Sequence, residues 1–367
     1  LITIFLFIMN TTNDDEPLSP AGRLFVQPAT HQIINCALGL EQPLGFEAAK
    51  HVVSDSLMIH HPRFSSILVT DTKGHECWQK TDIDIDRHVI LIPDPIGEHE
   101  HNSDETAINE YLANLAVSSP LSFDKPLWEI HLLPSHKCVV LRIHHALGDG
   151  ISIMSLMLTL ARRLDDPCCT PTIEPLGSTR RKQRFIMRGL WMKDGKTVVR
   201  GGEGVEMWPR KVVTARFTLE DMKTVKNAVT DALFKRAFKS PRAKIMIDRK
   251  KLSVEAFLSH QIGHFVMKFF GAKVASMLNY RVVCNTSFTI SNVVGPREDI
   301  TIAGIPVTYM RTTSSSLSHA ITMHMLSYSG KADMQILVAK DLIPDSEFLA
   351  ECFEDALLEM KQASERI

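Results

Sequence analysis

No stretch of this chain approaches the run of about 18 apolar residues that marks a membrane-spanning helix, so contact with a lipid surface would be peripheral or through amphipathic segments. Net charge is also missing. The 41 Lys and Arg face 42 Asp and Glu, which removes the global basic field that nucleic-acid binding draws on. The seven cysteines form no CxxC pair and are odd in number, which argues against a zinc ribbon or a disulfide framework and fits reduced thiols facing cytosol. No repeat of solenoid type is present. What remains is 44% apolar and 23% charged residues with 18 Gly and 18 Pro, a globular composition that excludes collagen-like, wholly disordered and polytopic membrane chains. A length of 367 residues suits two domains of ordinary size.

The apolar octet 1–8 lacks the flanking positive charge of a signal peptide and is too short to span a bilayer. Residues 1–17 are expected to be a disordered or non-native extension. From Leu18 to Leu164 helix-like and strand-like segments alternate, the pattern of an α/β layer. Leu44–Ile59 and Asp104–Val117 read as helices, while Arg63–Thr70, Ile85–Ile92, Leu127–Leu133 and Cys138–His145 read as strands, followed by an apolar helix over Ile151–Leu164. In Leu127–Leu133 the alternation sets Trp128, Ile130 and Leu132 on one face, Glu129 and His131 on the other. Residues 165–211 turn rich in Pro, Gly and basic side chains and read as a connector; Phe185, Ile186, Leu190 and Trp191 within it offer a weaker alternative, a membrane-surface patch. Over 212–367, helices are expected at Leu252–Leu278 and Ser346–Ala363, with strands at Arg281–Ile290, Thr301–Met310, Ala320–Ser327 and Met334–Ala339.

The chemistry concentrates in RIHHALGDGIS, residues 142–152. Two histidines end a strand with every mark of burial, a short turn follows, and an Asp-Gly pair opens a helix. Adjacent strand residues face opposite ways, so His144 and His145 cannot enter one cavity; one can be structural while the other is catalytic. A neutral histidine near pH 7 suits removal of a hydroxyl proton as that oxygen attacks an acyl carbonyl. Asp149 can cap the helix or pair with a buried Arg, and Gly148 and Gly150 would permit the backbone angles of the turn. The bland alternative is a strand-turn-helix connection with no chemistry, but HHxxxDG in this context specifies four positions and favours catalysis.

Other residues weigh less. Trp128, in Pro126-Leu127-Trp128, is expected in the core beside the motif. Asn292 could place its amide near an acyl channel or donate to a developing oxyanion, or merely steady the turn before Gly295-Pro296. His60-His61 reads as a helix-end pair, and His99 with His101 as a solvated loop without the ligand set a metal needs. The methionines of MSLML (154–158), with Met323 and Met325, suit either core packing or an adaptable lipid channel.

HHALGDG (144–150), preceded by PLWEIHLL (126–133), resembles the wax ester synthase/diacylglycerol acyltransferase family, particularly its plant branch. LSPAGRLF (18–25), HPRFSS (61–66), FTISNVVGPRE (288–298) and the stretch 332–361 support it, so the likeness covers about Leu18–Leu164 and Met246–Lys361. The resemblance implies a two-domain α/β fold like chloramphenicol acetyltransferase and other CoA-dependent acyltransferases, with a tunnel between an N-terminal domain (18–164) and a C-terminal domain (212–367). It implies His145 as general base, with His144 and Asp149 in support. The substrates implied are a fatty acyl-CoA and a long-chain alcohol or diacylglycerol, giving wax ester, as in cuticular wax, or triacylglycerol. No bound cofactor, metal or nucleic acid is implied; acyl-CoA is a co-substrate. Peripheral association with the cytosolic face of the endoplasmic reticulum membrane, with the plasma membrane as a second location, is the family expectation.

The likeness breaks near 227–245, where the chain is shorter than the family pattern and the expected Asn-Asp motif is absent. A catalytically impaired lipid-binding homologue is therefore a rival reading. So are a soluble plant acyltransferase of the BAHD type, whose DFGWG segment is lacking, and a peptide-synthetase condensation domain, whose carrier module is lacking.

Overall fold

Proline and glycine interrupt the apolar runs of this chain at short intervals, and the strands between them pair into three sheets. The computed structural model describes residues 16–71, 74, 76–96, 103–173, 204–237 and 254–365. His99, His101, the aromatic residues of the basic stretch and residues 238–245 of the shortened segment lie outside them.

The first half holds β1 (Glu16–Pro17), α1 (Pro20–Phe25), β2 (Ile33–Leu40), α2 (Phe46–Ser54), α3 (Leu57–His60), β3 (Ser66–Thr70), β4 (Glu76–Lys80) and β5 (Val89–Leu91). It continues through α4 (Asp104–Ser118), β6 (Trp128–Leu133), β7 (Cys138–His144), α5 (Gly150–Met157) and β8 (Arg162–Arg163). The second half holds β9 (Arg210–Thr218), α6 (Leu219–Ala237), α7 (Val254–Cys284), β10 (Phe288–Val294), β11 (Ile300–Ile302), β12 (Ile305–Ser314), β13 (Ile321–Tyr328), β14 (Lys331–Ala339) and α8 (Ser346–Glu365).

Seven strands form one sheet in the order β5-β6-β7-β2-β12-β11-β8, and four form another, β10-β13-β14-β9. Strands β11 and β12 come from the second half of the chain yet pair with β8 and β2. The division expected at 165–211 therefore does not separate the sheets. Helix α4 lies between them: Ile108, Leu112 and Leu115 pack with Ala37 and Val140 on one side and with Val212 and Leu337 on the other. A buried ion pair, Arg311 Nε to Asp333 at 2.8 Å, ties β12 to β14 and so one sheet to the other.

Several boundaries differ from expectation. Glu16 and Pro17 are not a loose extension but a strand against Trp78 and Cys77. The helix expected over Leu44–Ile59 breaks at Asp55-Ser56, where the Ser56 hydroxyl donates to the Val53 carbonyl at 2.7 Å. The strands expected from Arg63 and from Ile85 begin later, because single 3₁₀ turns occupy Pro62–Ser65 and Ile85–Arg87. The helix expected to reach Leu164 ends at Met157, since Arg162–Arg163 is captured as a sheet edge by β11. Helix α7 runs on to Cys284, delaying the strand expected from Arg281. Ala303 and Gly304, both at positive φ, fold Thr301–Met310 into a hairpin rather than one strand. Strand β9 begins inside the end of the basic connector, at Arg210, and β2 and β9 are strands the periodicity does not announce.

Candidate functional site

Residues 138–157 fold as their local chemistry dictates. The apolar run of β7 is covered on both faces, as a central strand must be. It ends at His144. His145 to Leu147 turn away, the Leu147 N–H donating to the His144 carbonyl at 3.0 Å, and Asp149 starts α5 by accepting the Ser152 N–H on its carboxylate at 2.9 Å. Of the two roles open to Asp149, the cap is the one found. Hydrogen bonds from Ser152 hold its carboxyl below the usual range although burial opposes them.

The paired histidines separate as strand geometry requires. His144 is 0% exposed; its Nδ1 accepts the Ala146 N–H at 3.1 Å, and His31 stands edge-on at 4.7 Å between ring centroids. Burial pushes its pKa down to about 3, helped by the neighbouring His31 and His145, so the ring stays neutral and braces the turn. His145 is half-buried and anchored by its own backbone N–H, which donates to the Gln32 carbonyl at 2.9 Å. Its imidazole stacks on Phe25 of α1 at 4.2 Å with 25° between the planes. Burial lowers its pKa as well, while the carbonyls of His145 and Gly148 and the Asp149 carboxylate pull the other way. A half-buried imidazole that is neutral near pH 7 results.

Neither Gly148 nor Gly150 has a positive φ, which corrects the expectation that both serve unusual backbone angles. Gly150 is needed for closeness instead: a β-carbon there would stand 3.2 Å from Cγ2 of Val293 on β10. At Gly148 the nearest atom to such a carbon would be Cβ of Ser152, at 3.4 Å. Trp128 is fully buried, as expected; its indole N–H donates to the Phe64 carbonyl at 2.9 Å and its ring stacks on His88 at 3.9 Å. Asn292 is not brought to the site. Val293 faces α5, so Asn292 stands on the opposite face of β10 with Phe288 and Ile290, exposed to solvent. His60 and His61 end α3, and the His61 ring accepts the Arg63 N–H, as a helix-end pair would. Met154, Met157 and Met323 are buried core residues.

One supporting group escaped the sequence reading. Arg142, within the otherwise apolar β7, pairs with Glu129 of β6 at 2.7 Å, and Lys125 meets the same carboxylate at 2.9 Å. Both faces of β6 are covered, so Glu129 and His131 lie inside a polar network rather than on a wet face. Glu129 is held down to about 2, against the cost of its burial, by hydrogen bonds from His131 and Lys125 and by the charges of Lys125 and Arg142. The signal was available: a lone Arg inside a buried strand requires a partner.

Among the described residues no cluster of three His, Cys, Asp or Glu comes together to hold a metal ion, and no helix is long and apolar enough to cross a membrane. A cleft of about 1090 Å³ runs between α4, β9 and α8, lined by Glu105, Asn109, Arg210 and Glu351, and touches no motif residue.

Comparison with known proteins places the chain in a family. Residues 60–243 match the wax ester synthase/diacylglycerol acyltransferase catalytic domain, and residues 241–361 match the WS/DGAT C-terminal domain. The chain is 27% identical to wax ester synthase/diacylglycerol acyltransferase 11 of Arabidopsis thaliana, covering 96% of each, and 28% identical to number 2 of the same plant, again covering 96% of each. Among solved structures it is similar to the wax ester synthase/diacylglycerol acyltransferase of Marinobacter aquaeolei, with a TM-score of 0.59 at 16% identity over 95% of this chain and 99% of that one. The first condensation domain of the calcium-dependent antibiotic synthetase follows the same path with a TM-score of 0.52 at 14% identity, covering 96% of this chain and 97% of that one. The fold is thus the two-domain α/β fold of chloramphenicol acetyltransferase and its relatives. Family matches that run through both halves of a chain bearing the HHxxxDG turn give a single answer: this chain belongs to the wax ester synthase/diacylglycerol acyltransferase family, and so to the acyltransferases.

Proposed function

We propose that this protein transfers a fatty acyl group from acyl-CoA to the hydroxyl of a long-chain alcohol, giving wax ester, or of diacylglycerol, giving triacylglycerol, with His145 as general base. The observation that carries the reading is the contrast within the motif: His144 is sealed and hydrogen-bonded, whereas His145 is half-buried and neutral beside Phe25. The neutral His145 takes the hydroxyl proton while the alcohol oxygen adds to the thioester carbonyl. The tetrahedral intermediate then collapses, the C–S bond breaks, and the departing thiolate recovers the proton from the imidazolium as coenzyme A. Ester and thiol are the only products. The step needs no covalent acyl-enzyme, and acyl-CoA is a co-substrate rather than a bound cofactor.

Peripheral association with the cytosolic face of the endoplasmic reticulum belongs to the same reading. Supporting it, Phe265, Phe269 and Phe270 cluster exposed on α7 beside Lys268, and α7 packs against α1, which carries Phe25. The test is purified protein with labelled palmitoyl-CoA and either hexadecanol or diacylglycerol. Ester formation that falls about 10²–10⁴-fold in His145→Ala supports the reading.

A second reading, a lipid-binding homologue with impaired catalysis, is favoured by two features. The alignment with the first Arabidopsis relative is 475 residues long against a chain of 367, and edge strand β10 leaves Phe288 and Ile290 exposed. Lipid binding with no product from either acceptor would decide for it.

A further inference from the structure

Strand β13 carries a buried imidazole that general-base catalysis by His145 leaves unused. His324 is 8% exposed and pairs in register with Ser291 of β10 on one side and Gln335 of β14 on the other. Paired residues project to the same face and neighbours along a strand alternate, so His324 shares a face with Leu326, Ser291 and Val293. That face is the one lying on the motif. Val293 approaches Gly150 at the start of α5, and Leu326 and Val293 pack in one apolar cluster with Ala146, Leu147 and Ile153. His324 therefore looks onto the turn that bears His145, near enough for the charge of His145 to act on it.

Three polar atoms of this face are unsatisfied, although the Gln335 amide nitrogen donates to Thr214 Oγ1 at 2.6 Å. Nδ1 of His324, Oγ1 of Thr322 and Oε1 of Gln335 are each buried without a hydrogen-bond partner among the described residues. A buried polar atom is costly to leave unpaired, and a row of them on the face turned to the motif marks where a polar group sits. Acyl transfer supplies that group. As the alcohol oxygen adds to the thioester, the carbonyl oxygen gains negative charge and needs a donor. Asp149 can only accept, and His144, whose Nε2–H is also unpartnered, is 0% exposed with Nδ1 bracing the turn. His324 is different. Burial, then the charge of His145, push its pKa down to about 4, so it is a neutral imidazole with one N–H to donate.

We propose that His324 is a further catalytic residue of this site, its ring N–H donating a hydrogen bond to the thioester carbonyl oxygen and stabilising the oxyanion formed on alcohol addition. The inference rests on the acyl-transfer reading above. In the step, the C–O bond forms and the carbonyl π pair moves onto oxygen; the His324 proton stays on the ring. Collapse restores the C=O bond and breaks the C–S bond, and the thiolate is protonated from His145.

The test compares His324→Leu, which deletes the donor, with His324→Gln, which keeps one. Ester formation in His324→Leu is expected to fall about 10²–10³-fold in kcat with KM for palmitoyl-CoA little changed, and His324→Gln to regain much of the loss. In the His145→Ala background, which holds the thioester intact, bound carbonyl-13C palmitoyl-CoA should show its C=O stretch lowered relative to free, a shift that adding His324→Leu abolishes. An unchanged kcat in His324→Leu, or an identical carbonyl stretch with and without His324, overturns the proposal. If the wild type makes no ester from either acceptor, the acyl-transfer reading fails while the infrared shift still decides whether His324 touches the carbonyl.

Discussion

A β-carbon placed on Gly150 would stand 3.2 Å from Cγ2 of Val293, so the first residue of the motif helix and a strand from the far half of the chain touch at the limit of packing. The second sheet is thereby seated on the loop that holds His145. Gly150→Ala should force β10 back by a few tenths of an ångström and cost about 1 kcal/mol, with acyl transfer reduced more than stability. Adding Val293→Ala should restore both. Thermal melting and ester formation, measured on the two variants together, check it; a single variant as active as the wild type would mean the seam is not tight.

His144 and His145 should lose activity for different reasons. His144→Ala removes a buried ring and strands the Ala146 N–H that it accepts, so it should lower unfolding free energy by about 2–4 kcal/mol. His145→Ala, at a half-buried position, should leave the urea midpoint near wild type while ester formation collapses. Equal destabilisation by both would contradict the division of roles.

Acid should weaken the fold before it damages carboxylate pairs. His144, His88 and His324 are held neutral by burial, with folded values near 3, 4 and 4 against an ordinary 6.5. Between 6.5 and those values the unfolded chain binds protons that the folded chain refuses, so stability falls as pH drops through this window and is whole above it. Urea midpoints from pH 7 to 4 should decline, with a shallower slope in His88→Gln.

Catalysis should follow the same sign. The base form of His145 is required, and burial sets its pKa below 6.5. The acidic limb of kcat/KM should therefore turn down below pH 6.5, and Asp149→Asn, which removes a charge that favours the imidazolium, should move the limb further toward acid. A limb at or above 6.5 would argue against His145 as the titrating base.

Arg142 of the motif strand pairs with Glu129 of the neighbouring strand, and both are buried. Arg142→Met alone should cost about 3–5 kcal/mol by leaving Glu129 with a reduced set of partners. Arg142→Met with Glu129→Gln should recover part of that, as read from a double-mutant cycle in urea.

Much of the site was legible because it is local. The apolar run of β7, the Asp cap and the paired histidines lie within one short segment, and strand alternation already says that His144 and His145 part company. Asn292 was misplaced for the opposite reason: its face is set by the register of β10 on β13, and nothing in SNVVGP records that register. The same holds for β11 and β12, which leave their own half to complete the first sheet, and for Gly150, whose need for closeness to Val293 looks in sequence like a need for turn flexibility.

The sequence by itself determined the strand-turn-helix, the helix cap and the presence of two imidazoles side by side, because backbone sterics and hydrogen bonds between near neighbours settle such features. Only the tertiary structure decided which imidazole stays open, that Arg142 answers Glu129, and that His324 rather than Asn292 faces the turn. Those outcomes depend on strand pairing and burial between segments distant in the chain, and the energy of such contacts is written in no local pattern.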